Sequence, residues 1–545
     1  MTFTRALRPA LLLMLFAWIA GLQAAELPAT VRDALDAAAI PGTNVAVWVQ
    51  PVDGGAPQLA ANPDRSMNPA SVMKLVTAFA ALEHFGPAHT WTTRVTTNGR
   101  VRGGVLDGDL FIVGGGDPML TDERMWKLLR RVRALGIDIV RGDIVLDGSA
   151  LRLPPHDPQA FDGRGLRPYN SAAHGLLLHF NTLQLTLLPA ANAGEPVTVA
   201  ANPPLQGLEI DNRIATADGD CGVWYANLDA RLEAGAAGER VVLLGSLPAR
   251  CGRRDWGVSP LAPERFAVAA VAGLWAETGG KVEGIVRPGS APTDASPLLE
   301  ETSPPLADVL REMNKWSSNV IARQLLASLG AGPEAATSVA DGGDTGTAHA
   351  LAGGEPKSTA EAGADEPAGA ATTSGSAAPV ETFGIRADAA TVETHPIDMV
   401  AAGADAAHAQ LAAAGIDTSG LVIANGSGLS RIESVTARTL GEMLLAAWRR
   451  PYMPEFVASL PIVGVDGTLR DRLAASPASG HAHLKTGYIN GVRAIAGYVL
   501  DRNGRRHVVA MLVNDPRAVD SRPALDALIE WVWQGEADAD PASSK

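Results

Sequence analysis

At 545 residues the chain is too long for one compact core, and roughly two to four domains are expected. A hydrophobic fraction of 46% with 19% charged residues is that of a folded, enzyme-sized protein, which excludes a wholly disordered or fibrous chain. A formal charge of −14, with no basic stripe, excludes a nucleic-acid binder, which must neutralise phosphates.

Residues 1–25 read as a secretory signal: Arg5 and Arg8, an apolar run from Pro9 to Leu22, then Ala24-Ala25 before Glu26. The run is short for a bilayer-spanning helix and ends in small residues, so cleavage and export are expected, with no transmembrane segment in the mature chain. In an exported chain, two cysteines, Cys221 and Cys251, predict a disulfide rather than a metal or redox site. Closing that loop should stabilise by roughly 3–4 kcal/mol.

In chain order, Leu27–Ala39 predicts an amphipathic helix, and Asn44–Val49 and Gln58–Ala61 predict two strands joined through Asp53-Gly54-Gly55. The stretch Asn68-Pro69-Ala70-Ser71-Val72-Met73-Lys74 then opens a largely apolar helix expected over Pro69–Phe85. Residues three apart on a helix are neighbours, so the Lys74 amine should reach the Ser71 hydroxyl. A buried lysine loses solvation of its charged form, which makes a neutral amine available to take the serine proton. The plainer alternative is a helix-start serine beside a surface lysine, since two fixed residues are a loose pattern. Against it, this is the only S-x-x-K in the chain.

Residues 95–258 change texture to many short β-like runs with one helix over Glu123–Leu135, a long β-rich insertion. Gly114-Gly115-Gly116-Asp117-Pro118 reads as a turn, because no Gly-Lys-Ser/Thr follows to make a phosphate loop. Helical periodicity returns over Pro263–Thr278 and from Pro305 through Leu329. Residues 331–379 are Ala, Gly, Ser, Thr and acidic side chains with almost no large apolar residue, so a disordered acidic loop is expected. Order resumes with a helix over Ile397–Ala414, a turn at Gly426-Ser427-Gly428 and a helix over Thr436–Trp448. Strands at Ala482–Tyr488, Arg493–Leu500 and His507–Val513 follow, joined at Asn490-Gly491 and Asn503-Gly504, and a helix over Pro523–Trp533 precedes a frayed tail, 535–545.

The first of those strands carries Lys485-Thr486-Gly487, a positive charge, a hydroxyl and a residue without a Cβ, a set suited to a peptide ending in a carboxylate. Between the two lysine motifs stands Ser317-Ser318-Asn319. Ser317 is placed to relay a proton between Lys74 and a leaving nitrogen, and Asn319 to hold Lys74 and a substrate carbonyl; helix capping is the competing reading.

The order Ser71-x-x-Lys74, Ser317-x-Asn319, Lys485-Thr486-Gly487 resembles that of penicillin-recognising serine enzymes. More narrowly, Pro69–Lys74, Gly114–Pro118, Gly142–Ser149, Gly426–Arg431 and Gly467–Leu469 resemble the class C, penicillin-binding protein 4 type D-alanyl-D-alanine carboxypeptidase/endopeptidases. Three positions depart from that pattern: Ser318 and Asn425 stand where Asp is common, and Tyr488 where Thr or Ser is usual.

The resemblance implies an α+β fold. Its transpeptidase-like domain, with a five-stranded antiparallel sheet flanked by helices, would be assembled from 26–94, 259–330 and 380–534, with 95–258 as one or two inserted β-rich domains. It implies acyl transfer to water through Ser71, an oxyanion hole from the Ser71 and Tyr488 backbone N–H groups, and a carboxylate held by Lys485 and Thr486, without metal or cofactor. The expected partners are peptidoglycan peptides and β-lactams, and the expected compartment is the periplasm. Asp147 is implied to meet the free amino group of a diaminopimelate-type stem peptide, against a plain Asp-Gly turn. A β-lactamase or esterase of the same fold and a non-catalytic penicillin-sensing protein are the alternatives.

Overall fold

The computed structural model describes residues 26–235, 238–331 and 398–535. The expected signal, the acidic loop and the end of the tail therefore fall outside the described residues. Among the described residues, no helix is long and apolar enough to cross a membrane.

One five-stranded antiparallel sheet organises the catalytic half, in the order Ala482–Ile489, Val492–Leu500, Arg506–Asn514, Val45–Pro51, Leu59–Ala61. Alternation along the strands sorts side chains to two cores. Trp48, Ala496, Tyr498, Ala510 and Leu512 face one cluster, shared with the helices Met73–Phe85, Leu306–Lys315 and Ala437–Trp448. Val47, Val49, Ile495, Val499, Val509 and Met511 face the other, shared with the helices Ala29–Ala37 and Arg522–Trp533. With both faces covered, the central strands are apolar almost throughout. The Asn490-Gly491 turn joins Ile489 directly to its partner Val492, with Gly491 at φ 78° as this tight loop requires.

The Met73–Phe85 helix is buried on every side from Met73 to Leu82. An all-round apolar helix of this kind belongs in a core, not on a surface. It places Lys74 where water does not reach.

The insertion begins and ends elsewhere than expected. Thr92–Thr97 lies in a second five-stranded sheet, in the order Val286–Pro288, Ile144–Asp147, Leu110–Val113, Thr92–Thr97, Ser296–Thr302. The helix Pro263–Glu277 packs its Phe266, Ala270, Leu274 and Trp275 into the same core as Ile112, Ile144, Leu183 and Val241. Residues 259–302, expected in the catalytic half, thus belong to the insertion, because periodicity shows that a helix is buried but not against which sheet. The chain leaves and re-enters the catalytic half side by side: Trp91 and Ser303 exchange hydrogen bonds, N–H to Oγ at 2.9 Å and N–H to carbonyl at 2.8 Å.

Among the described residues the insertion also holds a four-stranded sheet, in the order Lys281–Val282, Ile139–Val140, Val105–Asp107, Arg100–Arg102, and two three-stranded sheets, one centred on Leu183–Leu188 and one on Gly238–Pro248. Beside them Cys221 and Cys251 are joined, their Cα atoms 4.8 Å apart.

Candidate active site

The nucleophile segment differs from the expected helix start. Ala70–Val72 form a 3₁₀ turn, and the α-helix begins only at Met73. Asn68 Oδ1 accepts the Ala70 N–H at 2.9 Å, an Asx-type turn that spends the cap before the helix begins. Asn514, at the end of the central strand, clamps Asn68 from both sides: its Oδ1 accepts the Asn68 N–H at 2.8 Å and its Nδ2 donates to the Asn68 carbonyl at 2.9 Å. Ala70 is held at φ 44°, a region a Cβ disfavours, and such strain persists only where the surroundings impose it.

The three-residue spacing still brings base to nucleophile, with Lys74 Nζ 2.9 Å from Ser71 Oγ. Asn319 Oδ1 and the Ser427 carbonyl each lie 2.6 Å from the same nitrogen. A neutral amine has two hydrogens and one lone pair. With the hydrogens given to those two acceptors, the lone pair is left for the Ser71 hydroxyl proton. Burial, and then the Lys485 charge, push Lys74 well below the ordinary lysine range, while Glu433 pulls the other way.

The expected continuous helix from Pro305 to Leu329 is broken. Leu306–Lys315 ends, Ser317 turns through φ 58°, and Asn319–Gly330 restarts with Ser318 as its cap, its Oγ accepting the Ile321 N–H at 3.3 Å. The capping reading of this tripeptide therefore falls on Ser318, while Asn319 points to Lys74. Ser317 Oγ lies 2.8 Å from Lys485 Nζ.

Lys485 is fully buried and pairs with Ser317 and its neighbour's carbonyl, Thr486 O, at 2.9 Å. Burial pushes it down to about 7, so its charge is weakly held near neutral pH. The role expected of Gly487 also changes. A Cβ there would stand 2.3 Å from the Pro69 carbonyl oxygen, so the missing side chain lets the Lys485 strand press against the nucleophile turn. Thr486 Oγ1 lies 3.4 Å from Thr468 Oγ1, on the Gly467–Leu469 turn. Tyr488 is partly exposed at the rim, its ring under the Arg493 guanidinium.

Both oxygens of Asp147 are engaged by the backbone. One of its oxygens accepts the Ser149 N–H at 2.9 Å and the other the Ala291 N–H at 2.8 Å, and the side chain is buried. It walls a cleft of ≈ 1510 Å³ inside the insertion, shared with His156, Arg231 and Trp256, a wall to which neither Ser71 nor the other two motifs contribute. These contacts hold the chain after two neighbouring strands, and the bond from Ser149 is the one the Asp-Gly turn reading requires.

Sequence reasoning missed three side chains, Arg323, Phe161 and Glu433. Arg323, one helical turn after Asn319, donates to the carbonyls of Tyr169 at 2.9 Å and Ser171 at 2.6 Å, tying the insertion to the base of the site, and the i, i+4 spacing was the available signal. Asn319 Nδ2 donates to the same Tyr169 carbonyl at 3.2 Å. Phe161, from the insertion, packs with Ala70, Leu429, Ile489 and Val492 at the rim and lies under Arg431. Glu433, fully buried near Lys74, gave no signal at all in a lone sequence.

The D-Ala-D-Ala carboxypeptidase 3 (S13) family model matches residues 27–351 and 389–534. The chain belongs to this family. It is 30% identical over 470 residues to the D-alanyl-D-alanine carboxypeptidase of Actinomadura sp. (strain R39), covering 79% of this chain and 70% of that protein. It is 24% identical over 456 residues to a D-alanyl-D-alanine carboxypeptidase of Haemophilus influenzae, covering 82% and 80%. The crystal structure of penicillin binding protein 4 from Haemophilus influenzae superposes with a TM-score of 0.66 at 22% identity, over 92% of this chain and 99% of that one. The shared fold therefore spans both the catalytic half and the insertion.

Proposed function

We propose that this protein is a serine D-alanyl-D-alanine carboxypeptidase that also opens peptide cross-bridges of peptidoglycan, and that penicillins acylate it on Ser71. The observation that carries the reading is the Lys74 amine, buried, 2.9 Å from Ser71 Oγ, with two acceptors for its own hydrogens. Ser71 Oγ attacks the carbonyl between two D-alanines as its proton passes to Lys74. The Ser71 and Tyr488 backbone N–H groups meet the oxyanion. The C–N bond then breaks, Lys74 returns the proton to the leaving amine, and water repeats the sequence on the acyl ester. Lys485 and Thr486 take the terminal carboxylate, and that second charge restores the proton on Lys485 that burial disfavours. Ser317, whose oxygen faces Lys485, keeps its own hydrogen to donate toward the substrate. The expected compartment is the periplasm, reached through the leader read in residues 1–25.

The β-lactam reading has support in a relative: the Haemophilus influenzae protein has also been crystallised with a β-lactam, and that structure superposes with a TM-score of 0.63. Mass spectrometry after incubation with benzylpenicillin tests it here. One adduct mapping to Ser71 is expected, together with D-alanine release from a pentapeptide, and Ser71→Ala should lose both with its melting temperature nearly unchanged. An adduct that persists in Ser71→Ala would overturn the assignment.

A further inference from the structure

The turn that supplies the Ser427 carbonyl to Lys74 is itself built on one carboxylate. Glu433 Oε1 accepts three successive backbone N–H groups, from Ala424 at 3.3 Å, Asn425 at 3.0 Å and Gly426 at 3.0 Å. The turn faces the catalytic helix with its carbonyls: Gly426 O accepts from Thr77 Oγ1 at 2.7 Å and Ser427 O lies 2.6 Å from Lys74 Nζ. Glu433 Oε2 is buried and finds no hydrogen-bond partner among the described residues. A buried carboxylate oxygen left without a donor is costly, and such an arrangement points to a use for the charge.

We propose that Glu433 is the counter-charge of the Lys74 base, a positioning residue that holds the Ser427 turn and stabilises the ammonium formed as Ser71 gives up its proton. This inference rests on the acyl-transfer reading above. The charges facing Lys74 come from three elements: Lys485 on the Ala482–Ile489 strand, Arg323 on the Asn319–Gly330 helix, and Glu433. Two are cations, which disfavour a proton on Lys74, and among the described residues the anion acting on it is Glu433. Its own surroundings are the three N–H groups and the charges of Lys74 and Arg323. Burial pushes Glu433 up, and the N–H groups and Lys74 oppose that rise. On the acyl-transfer reading Lys74 gains a proton on the way to the transition state, so an anion holding the turn that contacts it favours the transition state over the ground state. Asn425 on the same turn is neutral, its Oδ1 occupied by the Ser427 N–H at 3.0 Å and the Ser427 hydroxyl at 2.6 Å, so it cannot supply this charge.

Glu433→Gln removes the charge and leaves an oxygen for the three N–H groups. Its second-order rate of acylation by benzylpenicillin, followed from pH 5 to 10, should fall roughly tenfold or more at the plateau. The acid-side limb should move to lower pH by about one unit, because Lys74 loses an anion that favours its proton. Glu433→Asp, which keeps the charge, should keep the limb in place. In a Ser71→Ala background, where no acylation occurs, the Lys74 midpoint read from labelled lysine side chains by NMR should fall on adding Glu433→Gln. An unmoved limb and midpoint, with a rate loss that follows the loss of folded protein, would reduce Glu433 to a turn-holding residue and overturn the proposal. Equal shifts in Glu433→Asp and Glu433→Gln would overturn it too. If wild-type protein is not acylated at all, the acyl-transfer reading fails, while the NMR midpoints still judge Glu433.

Discussion

The two halves of the molecule keep their charges in opposite places. Around Ser71, Lys74, Lys485, Arg323 and Glu433 are buried together, and Ala70 and Ser317 sit at positive φ within the same site. In the small sheets of the insertion, charged partners such as Arg213 and Asp211, Arg231 and Asp229, or Arg265 and Glu239 lie in or near solvent, and a disulfide closes the chain. Exposed pairs contribute little, about 0–1 kcal/mol each, and cost little. Buried like charges oppose folding. The catalytic half therefore gives up stability at its site, which its two cores on either side of the five-stranded sheet must offset, whereas the buried carboxylates of the insertion, Asp117, Asp122 and Asp147, are each met by a cation, a histidine or backbone N–H groups.

Lys485→Met is the sharpest way to break this contrast. Turnover of a D-Ala-D-Ala peptide should fall by roughly a hundredfold or more, since the carboxylate loses its charged partner. Stability at pH 7 should rise. The sign follows from linkage: with the folded-state value down to about 7, the unfolded chain binds more protons between pH 7 and the ordinary lysine range, so wild-type stability climbs with pH across that window. The gain from Lys485→Met should thus be largest at or below pH 7 and shrink toward pH 10, as thermal melts across pH would record; no gain at any pH would contradict the cost assigned to this lysine. The same titration predicts that KM for a carboxylate-ending peptide rises by up to about tenfold per pH unit above pH 7, while a methyl ester of that peptide shows no such rise.

A smaller effect separates the halves through glycine. Gly487→Ala drives a Cβ to 2.3 Å from Pro69 O, two backbones that have no room to part without moving Ser71. Acylation by penicillin should drop by about tenfold to a hundredfold, with about 1–3 kcal/mol of stability lost to overpacking. Gly194→Ala, in the insertion at φ 86° with open space around it, should cost about 1 kcal/mol and leave acylation unchanged. Equal acylation losses would show that the close approach at Gly487 is not what sets the nucleophile. Smallest at the active site should be the paired change Cys221→Ser and Cys251→Ser. It should lower stability by roughly 3 kcal/mol on the loop-closure estimate, with the acylation rate per folded molecule the same. A slower rate in that variant would mean that the small sheets help to shape the site through Tyr169 and Phe161.

The sequence by itself determined the parts whose chemistry is local. The three strands from Ala482 to Asn514 were legible because alternation and Asn-Gly turns are short-range signals, and Ser71 with Lys74 because three residues on a helical turn bring side chains together whatever surrounds them. The order of the three motifs named the family because each carries fixed residue types. Tertiary structure decided everything that depends on which surfaces meet. It moved residues 259–302 to the insertion through the pairing of Ser296–Thr302 with Thr92–Thr97, a partner nearly two hundred residues away. It brought Ser317 to Lys485 through one left-handed residue that no periodicity predicts. It gave Asp147 to two backbone amides, and it brought Glu433, a residue with no motif, beside the base. Burial sets those last two roles, and burial is a property of the packed molecule that a list of residues does not contain.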